Sequence, residues 1–449
     1  MAKDKKAAKE LTMEEKLAQA LVPVEEQPYK IPENWCWVYL TGGFAECLDS
    51  FRKPINATER VSRNGDIPYY GATGQVGWIN DFLTDEQLVL VGEDGAPFLD
   101  LLKDKAYIIK GKAWVNNHAH VLRSYFGNIG NYYLLHYLNC FDYTNYVNGT
   151  TRLKLTQANM NRIPVPLSPL KEQGRIVDRI ESIFSKLDEA KEKAQAVVAG
   201  FELRKSAILH KAFTGELTKQ WRKSRGISIE SWRTVPLIEI STLQTGIMKG
   251  KHFNDKTICL PYLRVANVQD GYFNLKEIKR IEVSEKMVDR YLLQKGDVLF
   301  TEGGDFDKLG RGSVWNAEIK VCLHQNHVFV VRPDKKILDP YFLSLQAGSR
   351  YGKKYFLSCA KQTTNLASIN STQLKNYPVR LPVIEEQKAI LNMVSDVLKK
   401  ERQVKDAAEL VISQIDVMKK AVLVRAFRGE LGTNDLLEEK SVELLKLVF

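Results

Sequence analysis

The sequence predicts an α/β protein in which two globular domains alternate with two long helices. The first observation behind this is an internal repeat, because segment 163–173 recurs as 377–387 and Ala212-Phe-Thr-Gly-Glu-Leu217 recurs as Ala426-Phe-Arg-Gly-Glu-Leu431, each 214 residues later. The second is a long amphipathic stretch inside each copy. The third is a set of short β-branched and aromatic runs, such as 88–91 and 328–331, between turns rich in Gly and Asp.

The length of the chain agrees with several domains, because 449 residues with 44% hydrophobic content exceed one ordinary core. In chain order the repeat divides the sequence as follows: an N-terminal tail with a short helix at 1–29, a first globular domain at 30–167, a first long helix at 168–215, a linker at 216–229, a second globular domain at 230–381, a second long helix at 382–429 and a C-terminal tail at 430–449.

Both long helices carry apolar residues at alternating steps of three and four, which predicts an a/d seam along each. One polar residue interrupts each seam, Arg204 in the first and Glu401 in the second. Gly215 and Gly429 suit the position just past a helix end. We expect the helices to pair as an antiparallel coiled coil within a pseudo-two-fold repeat; the alternative is that each helix is buried in its own domain.

Charge and cysteine usage restrict the class of protein. The net charge of +11 favours a polyanionic partner, although a merely basic protein has the same composition. The six cysteines include no Cys-x-x-Cys pair, and we find neither a signal-peptide pattern nor eighteen consecutive apolar residues. We therefore expect a cytoplasmic protein with reduced thiols and no membrane association.

Four polar segments recur in the same order in both globular domains. They are 67–75, 90–96, 115–120 and 148–152 in the first domain, and 260–267, 299–305, 324–327 and 361–365 in the second. Each combines Gly, which permits close backbone approach, with side chains that hydrogen-bond base edges or phosphates. A single such segment is also typical of an ordinary turn at a strand end, but four in parallel order favour a shared binding role.

These motifs resemble the specificity (S) subunits of type I restriction-modification systems. The resemblance covers nearly the whole chain, through Pro32-Glu-Asn-Trp35, Tyr70-Gly-Ala-Thr-Gly74, Thr301-Glu-Gly-Gly-Asp305 and the two Gly-Glu-Leu helix ends. It implies that two target recognition domains each read half of a split site in double-stranded DNA, with the helices as a spacer. A spacer of roughly 40 residues is about 60 Å long, somewhat under two turns of B-DNA at about 34 Å per turn.

The resemblance also implies partners and a division of labour. Two methyltransferase subunits that modify adenine N6 would dock on the helices and on the short helix near Met13, and motor-nuclease subunits would join for cleavage. The complete enzyme would be a type I site-specific deoxyribonuclease and DNA adenine methyltransferase active in phage defence. This chain would be its non-catalytic subunit and would need no cofactor or metal.

We predict the DNA-contacting residues from residue type and position in the polar segments. They are Tyr70, Thr73, Gln75, Asn117, His118 and Arg152 in the first domain, and Arg264, Asn267, Lys308, Arg311, Gln325, Asn326 and Thr364 in the second.

The sequence offers little enzymatic machinery. It contains no Gly-x-x-x-x-Gly-Lys-Ser/Thr phosphate loop and no Asp/Asn-Pro-Pro-aromatic motif, to which Asp66-Ile-Pro-Tyr69 is only distantly similar. A nuclease site built from Asp334, Glu386 and Lys388 is disfavoured, because the first copy of the repeat lacks the lysine.

Two histidine pairs, His118 with His120 and His324 with His327, could ligate zinc. They lack Cys or carboxylate partners at finger-like spacing, so hydrogen bonding to DNA or to the core is the preferred interpretation.

Two other functions stay open at this point. A free-standing bipartite DNA-binding protein, such as a repressor or a chromosome-organising factor, would share every feature of the DNA-reading domains but would not assemble with a methyltransferase. A protein scaffold without a DNA role would show no salt-sensitive duplex binding.

Overall fold

The computed structural model describes residues 11–250, 253–304, 309–362 and 367–449. The chain forms two compact units, the first made of 1–195 with 409–449 and the second of 196–408. Within the described residues, no helix is both long and apolar enough to cross a membrane.

The first unit begins with a short capped helix and continues as a mixed globular domain. Its helices are α1 Met13–Ala20, α2 Ala57–Ser62, α3 Gly127–Cys140, α4 Gln157–Asn161 and α5 Leu170–Ala199, the last of which ends in the second unit. Its strands are β1 Cys36–Tyr39, β2 Ala45–Cys47, β3 Ile67–Gly71, β4 Gly74–Ile79, β5 Thr84–Asp85, β6 Leu88–Gly92, β7 Ala106–Ile109, β8 Lys112–Val115, β9 Ala119–Ser124, β10 Val147–Asn148, β11 Lys154–Leu155 and β12 Pro164–Leu167.

The second unit has a similar succession of elements. Its helices are α6 Phe201–Phe213, α7 Lys219–Lys223, α8 Val288–Tyr291, α9 Pro340–Gly348, α10 Arg350–Cys359, α11 Ser371–Lys375 and α12 Ile384–Ala426, which continues into the first unit, where α13 Ser441–Lys446 follows. Its strands are β13 Arg233–Pro236, β14 Ser241–Thr245, β15 Thr257–Leu263, β16 Lys279–Ser284, β17 Val298–Thr301, β18 Gly303–Gly304, β19 Gly312–Val314, β20 Leu323–His324, β21 Val328–Pro333, β22 Lys361–Gln362, β23 Ala367–Ser368 and β24 Pro378–Leu381.

The two globular domains share one sheet topology. A four-stranded sheet has the order β2-β9-β6-β7 in the first domain and β14-β21-β17-β19 in the second. A second sheet contains β4-β3-β8-β5 and β16-β15-β20 respectively, in which β3 pairs parallel with β8 and β15 pairs parallel with β20. A two-stranded sheet, β1-β12 or β13-β24, links the two ends of each domain. The sequence repeat therefore corresponds to a repeated fold.

Each core joins a globular domain to the ends of the long helices. In the first unit, Tyr133 and Tyr137 on α3 pack edge-on against Phe427, with ring centroids 5.0 and 5.1 Å away. In the second, Phe213 packs on Phe342 of α9 at 5.4 Å. Phe213 and Phe427 are the aromatic residues of the repeated Ala-Phe-x-Gly-Glu-Leu motif, so this motif anchors a helix end to the globular domain.

The first long helix differs from the prediction, because the structure has two consecutive helices, α5 and α6, with Gly200 between them. Gly costs about 1 kcal/mol relative to Ala inside a helix, which accounts for the break. Gly200 still takes part in hydrogen bonds with helical spacing. Its N–H donates to the Ala196 carbonyl, and its carbonyl accepts from the Arg204 N–H. The predicted terminal glycines, Gly215 and Gly429, both have positive φ angles of 78° and 74°.

The predicted seam is buried only in part. Ile390 and Val394 are fully buried under the second domain, whereas Val404, Val411 and Met418 in the middle and later part of α12 are exposed. Conversely Leu398, which lies beside the seam in the heptad pattern, is buried in the second core. The reason is that the globular cores cover the helix ends, and heptad spacing does not indicate which side of a helix a globular core covers.

Ion pairs connect the long helices within each unit. In the first unit, Lys191 pairs with Asp416 at 2.9 Å and Lys419 pairs with Asp188 at 2.6 Å. In the second unit, Arg204 pairs with Glu401 at 2.7 Å. The two polar residues that interrupt the seams thus contact each other.

A buried glutamate at the start of each long helix holds three parts of its unit together. Glu386 accepts hydrogen bonds from Thr218, Arg222 and Trp232, at 2.7, 2.5 and 2.9 Å. Glu386 lies 214 residues after Glu172, and the Trp–Glu contact repeats in the first unit.

Glu172 accepts hydrogen bonds from the Trp35 indole at 2.7 Å and from Asn434 at 2.9 Å. Burial raises the pKa of Glu172 above the ordinary glutamate range, although these donors oppose the shift. Each glutamate therefore fixes the entry of its globular domain to the segment that follows the other long helix.

Candidate nucleic-acid interface

Backbone hydrogen bonds join three of the four polar segments of the first domain, together with Leu155 just after the fourth, in a cluster here called the edge. The Asn116 N–H donates to the Tyr70 carbonyl at 3.1 Å, which joins the ends of β3 and β8. The Glu93 N–H donates to the His118 carbonyl at 2.8 Å, and the Leu155 N–H donates to the Glu93 carbonyl at 2.7 Å. The segments that the sequence singled out are consequently neighbours in space.

The second domain repeats this connection bond for bond. The Gln325 N–H donates to the Leu263 carbonyl at 2.9 Å, and the Glu302 N–H donates to the His327 carbonyl at 3.0 Å. The Ile369 N–H then donates to the Glu302 carbonyl at 2.8 Å. Asn116 is therefore equivalent to Gln325, and His118 to His327. The segments that follow the same order in the two sequences are thus connected in the same way in the two domains.

Asp94 organises the charged side chains of the first edge. Its carboxylate contacts the His118 Nδ1 at 2.8 Å and the Arg152 guanidinium at 2.7 Å. Both partners stay accessible, with 40% of the His118 side chain and 62% of the Arg152 side chain exposed. A tethered but solvated guanidinium keeps free N–H donors for a phosphate or a base.

The other predicted residues of the first domain divide into exposed and supporting groups. Thr73, Gln75 and Asn117 are exposed, and the Gln75 amide donates to the Gly77 carbonyl at 3.1 Å. Tyr70 is half-buried and its ring lies 5.9 Å from that of Tyr107; burial raises its pKa. Tyr70 therefore supports the edge through packing.

A cleft of about 510 Å³ opens beside Asn117 and His118. Its lining includes Asn56, Arg60 and Asn116, which were not among the predicted residues. The only hint in the sequence was a basic pair, Arg60 and Arg63, on a short segment that precedes the first polar segment.

Cations next to this cleft stack on aromatic rings. The Arg60 guanidinium lies 5.2 Å from the Tyr69 ring, and the Arg63 guanidinium lies 4.5 Å from the Trp114 ring. Spacing along the chain could not reveal these contacts, because the rings belong to β3 and β8 and the cations to α2 and its end.

In the second domain the predicted residues occupy more restrained positions. The Arg264 guanidinium lies 3.3 Å from Glu277, and the Arg311 guanidinium donates to Gln269 at 3.1 Å. Gln325 and Asn326 are half-buried at the end of β20. Lys308 and Thr364 lie outside the described residues.

Asn267 is a correction to the predicted set, because it is buried. Its amide donates to the Asn274 and Glu277 carbonyls at 2.9 and 3.0 Å, and its oxygen accepts from the Arg264 N–H at 2.9 Å. With both ends of the amide occupied, Asn267 shapes the loop and is not available to DNA.

The two histidines of each predicted pair have different surroundings. His120 is buried beside Asp49 and Glu93, but its ring nitrogens contact the Asp49 carboxylate at 2.6 Å and the Leu155 carbonyl at 2.8 Å. Arg52 pairs with Asp49 at 2.9 Å, and Lys154 pairs with Glu93 at 3.0 Å. The charges of this cluster are balanced by side chains.

His324 is also part of the core. Burial lowers its pKa to about 4, and its Nδ1 contacts the Val328 carbonyl at 2.8 Å. In each pair, then, one histidine is internal and the other, His118 or His327, is partly exposed at the edge.

The family model described as type I restriction modification DNA specificity domain matches residues 32–198 and 229–410. The chain belongs to this family. Its two matched regions each contain one of the globular domains and most of the helix that follows it.

Curated relatives of this specificity-domain family are distant in sequence. The EcoKI specificity subunit of Escherichia coli is 25% identical over 61% of this chain, and the match spans only 59% of that subunit. A putative specificity subunit of Haemophilus influenzae is 23% identical over 78% of this chain and 84% of its own length.

Solved structures show the same fold. The HsdS subunit from Thermoanaerobacter tengcongensis is 19% identical, with a TM-score of 0.59 over 91% of this chain and the whole of that chain. A second solved chain is 18% identical, with a TM-score of 0.58 over 90% of this chain. Its structure concerns complex assembly and conformational transition of the type I R-M system.

Proposed function

We propose that this chain is the non-catalytic, DNA-reading subunit of a type I restriction-modification enzyme. The observation that carries the proposal is the repeated edge, where the first three polar segments and a residue that follows the fourth are joined by equivalent hydrogen bonds in both domains. Two equivalent edges suit a site with two half-sites, and the net charge of +11 favours duplex DNA. Such a subunit would act in the cytoplasm, where the host DNA lies.

We further propose that the long helices form an antiparallel coiled coil that relates the domains by a pseudo-two-fold axis. The support is the order of the ion pairs, in which partners of Asp188 and Lys191 on α5 lie at decreasing positions on α12. A spacer of fixed length would set a fixed gap between the two half-sites.

The predicted partners are two methyltransferase subunits, with motor-nuclease subunits in the complete enzyme. Their support in this chain is a set of exposed apolar residues on the later part of α12: Leu410, Val411, Val417 and Met418. Apolar residues clustered on an exposed helix are typical of an interaction surface. Leu410→Glu should reduce co-purification with the methyltransferase, whereas Lys400→Glu, at another exposed position of the same helix, should not.

Co-expression with the partner methyltransferase tests the function. Single-molecule sequencing of host DNA should reveal N6-methyladenine in a split motif that disappears when this chain is deleted. His118→Ala should relax or abolish one half of the motif, and Arg123→Ala, on β9 and paired with Glu46 and Glu86, should leave it unchanged. Assembly without new methylation would favour a free-standing DNA-binding protein.

A further inference from the structure

The two equivalent histidines at the interface, His118 and His327, make the same contact with a carboxylate. The His118 Nδ1 lies 2.8 Å from the Asp94 carboxylate, and the His327 Nδ1 contacts the Glu302 carboxylate. The carboxylates come from adjacent positions of the second polar segment, because Glu93 is the equivalent of Glu302 and Asp94 follows it. Each domain thus has a histidine–carboxylate contact of the same type, formed with a carboxylate at a different position.

This contact determines which ring nitrogen carries the proton. An ionised carboxylate only accepts hydrogen bonds, so the Nδ1 must donate to it. A ring with one proton then has an unprotonated Nε2, which is an acceptor.

The second domain shows this acceptor in use. The Asn326 amide nitrogen lies 3.3 Å from the His327 Nε2, so an NH₂ group already faces this nitrogen. The side chains remain accessible to a larger partner, since 40% of His118 and 52% of His327 is exposed.

We propose that Asp94 and Glu302 are positioning residues that hold His118 and His327 with Nε2 as an acceptor for the exocyclic amino group of adenine or cytosine. These two amino groups, adenine N6 and cytosine N4, are the donors that the bases present in the major groove. The Asn326 amide occupies the place of such a group in the free protein. The inference rests on the proposed function and adds to it the atom that reads the base and the residue that orients it.

The contact with DNA is tested by a double-mutant cycle between a histidine and a base, in the complex with the methyltransferase. Each adenine of a half-site is replaced in turn by purine and each cytosine by pyrimidin-2-one, which lack the amino group. His118→Asn retains a polar group near Asp94 but removes the outward acceptor, and it should weaken binding about tenfold. At one base position, removal of the amino group should cost nothing further in this variant, which is the signature of coupling.

Conservative and control variants separate reading from structure. His118→Gln and His327→Gln place an amide near the Nε2 position and should retain binding within about threefold, whereas the Asn variants should not. His210→Asn, at an exposed position on α6, is the control and should have no effect. Equal loss in the Gln and Asn variants, or a loss coupled to no amino group and accompanied by a smaller salt slope, would overturn the proposal in favour of a phosphate contact.

A measurement on the free chain keeps this test distinct from that of the proposed function. Nitrogen-15 spectra of the two histidines should show the proton on Nδ1, and Asp94→Asn or Glu302→Gln should shift the rings to a mixture of tautomers. Unchanged tautomers in these variants would contradict the role of the carboxylates even where the chain directs methylation. Correct tautomers in a chain that directs no methylation would instead contradict the proposed function.

Discussion

At the scale of single residues, the polar segments were recognisable in the sequence but the task of each side chain was not. Tyr70 and Asn267 have residue types suited to DNA contact. Tyr70, however, supports the edge by packing, and the Asn267 amide is occupied by hydrogen bonds within its own loop. Asp94 has no obvious DNA-contacting character, yet it tethers both His118 and Arg152. Burial and partner geometry, which a linear pattern does not contain, decide between these roles.

Arg152→Ala should weaken duplex binding about three- to tenfold near 0.1 M salt and reduce the salt slope by about 1, because one phosphate contact is lost. The measurement is the dissociation constant of the methyltransferase complex over a series of salt concentrations. Arg123→Ala, a partly exposed arginine of the same unit that is held by Glu46 and Glu86, is the control. An unchanged affinity and slope for Arg152→Ala would exclude it from the interface.

Glu386→Ala should lower the free energy of unfolding by about 3 to 5 kcal/mol, because it leaves the buried Arg222 without its partner. Urea unfolding of the full chain measures this loss. Glu385→Ala, the exposed neighbour on the same helix turn, should change stability by less than about 0.5 kcal/mol. Similar stabilities for the two variants would show that the buried glutamate does not hold the domain entry.

At the scale of elements, heptad spacing predicted two long helical segments, but neither the division of the first at Gly200 nor the side that each helix buries. The two polar interruptions of the seams, Arg204 and Glu401, pair with each other at 2.7 Å. A polar pair inside an apolar seam specifies the register of two helices, because only one register satisfies both charges.

Arg204→Glu should destabilise the second unit by about 1 kcal/mol, since two carboxylates would then face each other across the helices. Combining it with Glu401→Arg should restore most of this stability. Thermal unfolding of the two single variants and the double variant measures the coupling. A double variant as unstable as the sum of the single variants would contradict the pairing.

The contact of α3 with α5 should contribute less to stability at acid pH. His136 donates to the Glu181 carboxylate at 2.7 Å, and this hydrogen bond lowers the pKa of Glu181. A carboxyl with a lowered pKa contributes stability above its ordinary pKa of about 4.3 and loses it as the pH falls through the lowered value.

Because 54% of the Glu181 side chain is exposed, solvent screening limits the contribution to about 0.5 to 1 kcal/mol. Glu181→Gln should therefore be less stable than the parent chain by about this amount at pH 6, and the difference should vanish near pH 3. Urea unfolding at both pH values is the measurement, with Glu192→Gln on the exposed face of the same helix as control. A difference that persists at pH 3 would show that the ionised carboxylate is not responsible.

At the scale of the whole molecule, each compact unit combines one globular domain with parts of both long helices. The second unit is the continuous stretch 196–408, whereas the first combines 1–195 with 409–449. The C-terminal segment completes the first unit: Arg175 pairs with Glu438 at 2.9 Å, Asn34 donates to the Asp435 carbonyl at 3.0 Å, and Lys16 donates to the Phe449 carbonyl at 3.2 Å.

A fragment 196–408 should therefore unfold cooperatively on its own, because its core includes both of its helix segments. A fragment 1–195 should not, because Leu423, Phe427 and Leu445 belong to its core and would be missing. Addition of the separate segment 409–449 should restore a cooperative transition to 1–195. Calorimetry of the three samples is the measurement, and a stable 1–195 alone would contradict the division.

The sequence by itself determined the α/β class, the duplication at 214 residues, the long helices, and the four polar segments of each domain, because all of these depend on periodicity and on order along the chain. Only the tertiary structure decided that the segments meet at one edge, that Asn267 is buried, that Asp94 joins two cations, and that the end of the chain completes the first unit. These features depend on contacts between residues far apart in sequence. The packing of strands and helices determines which side chains contact each other, and local residue patterns do not encode that packing.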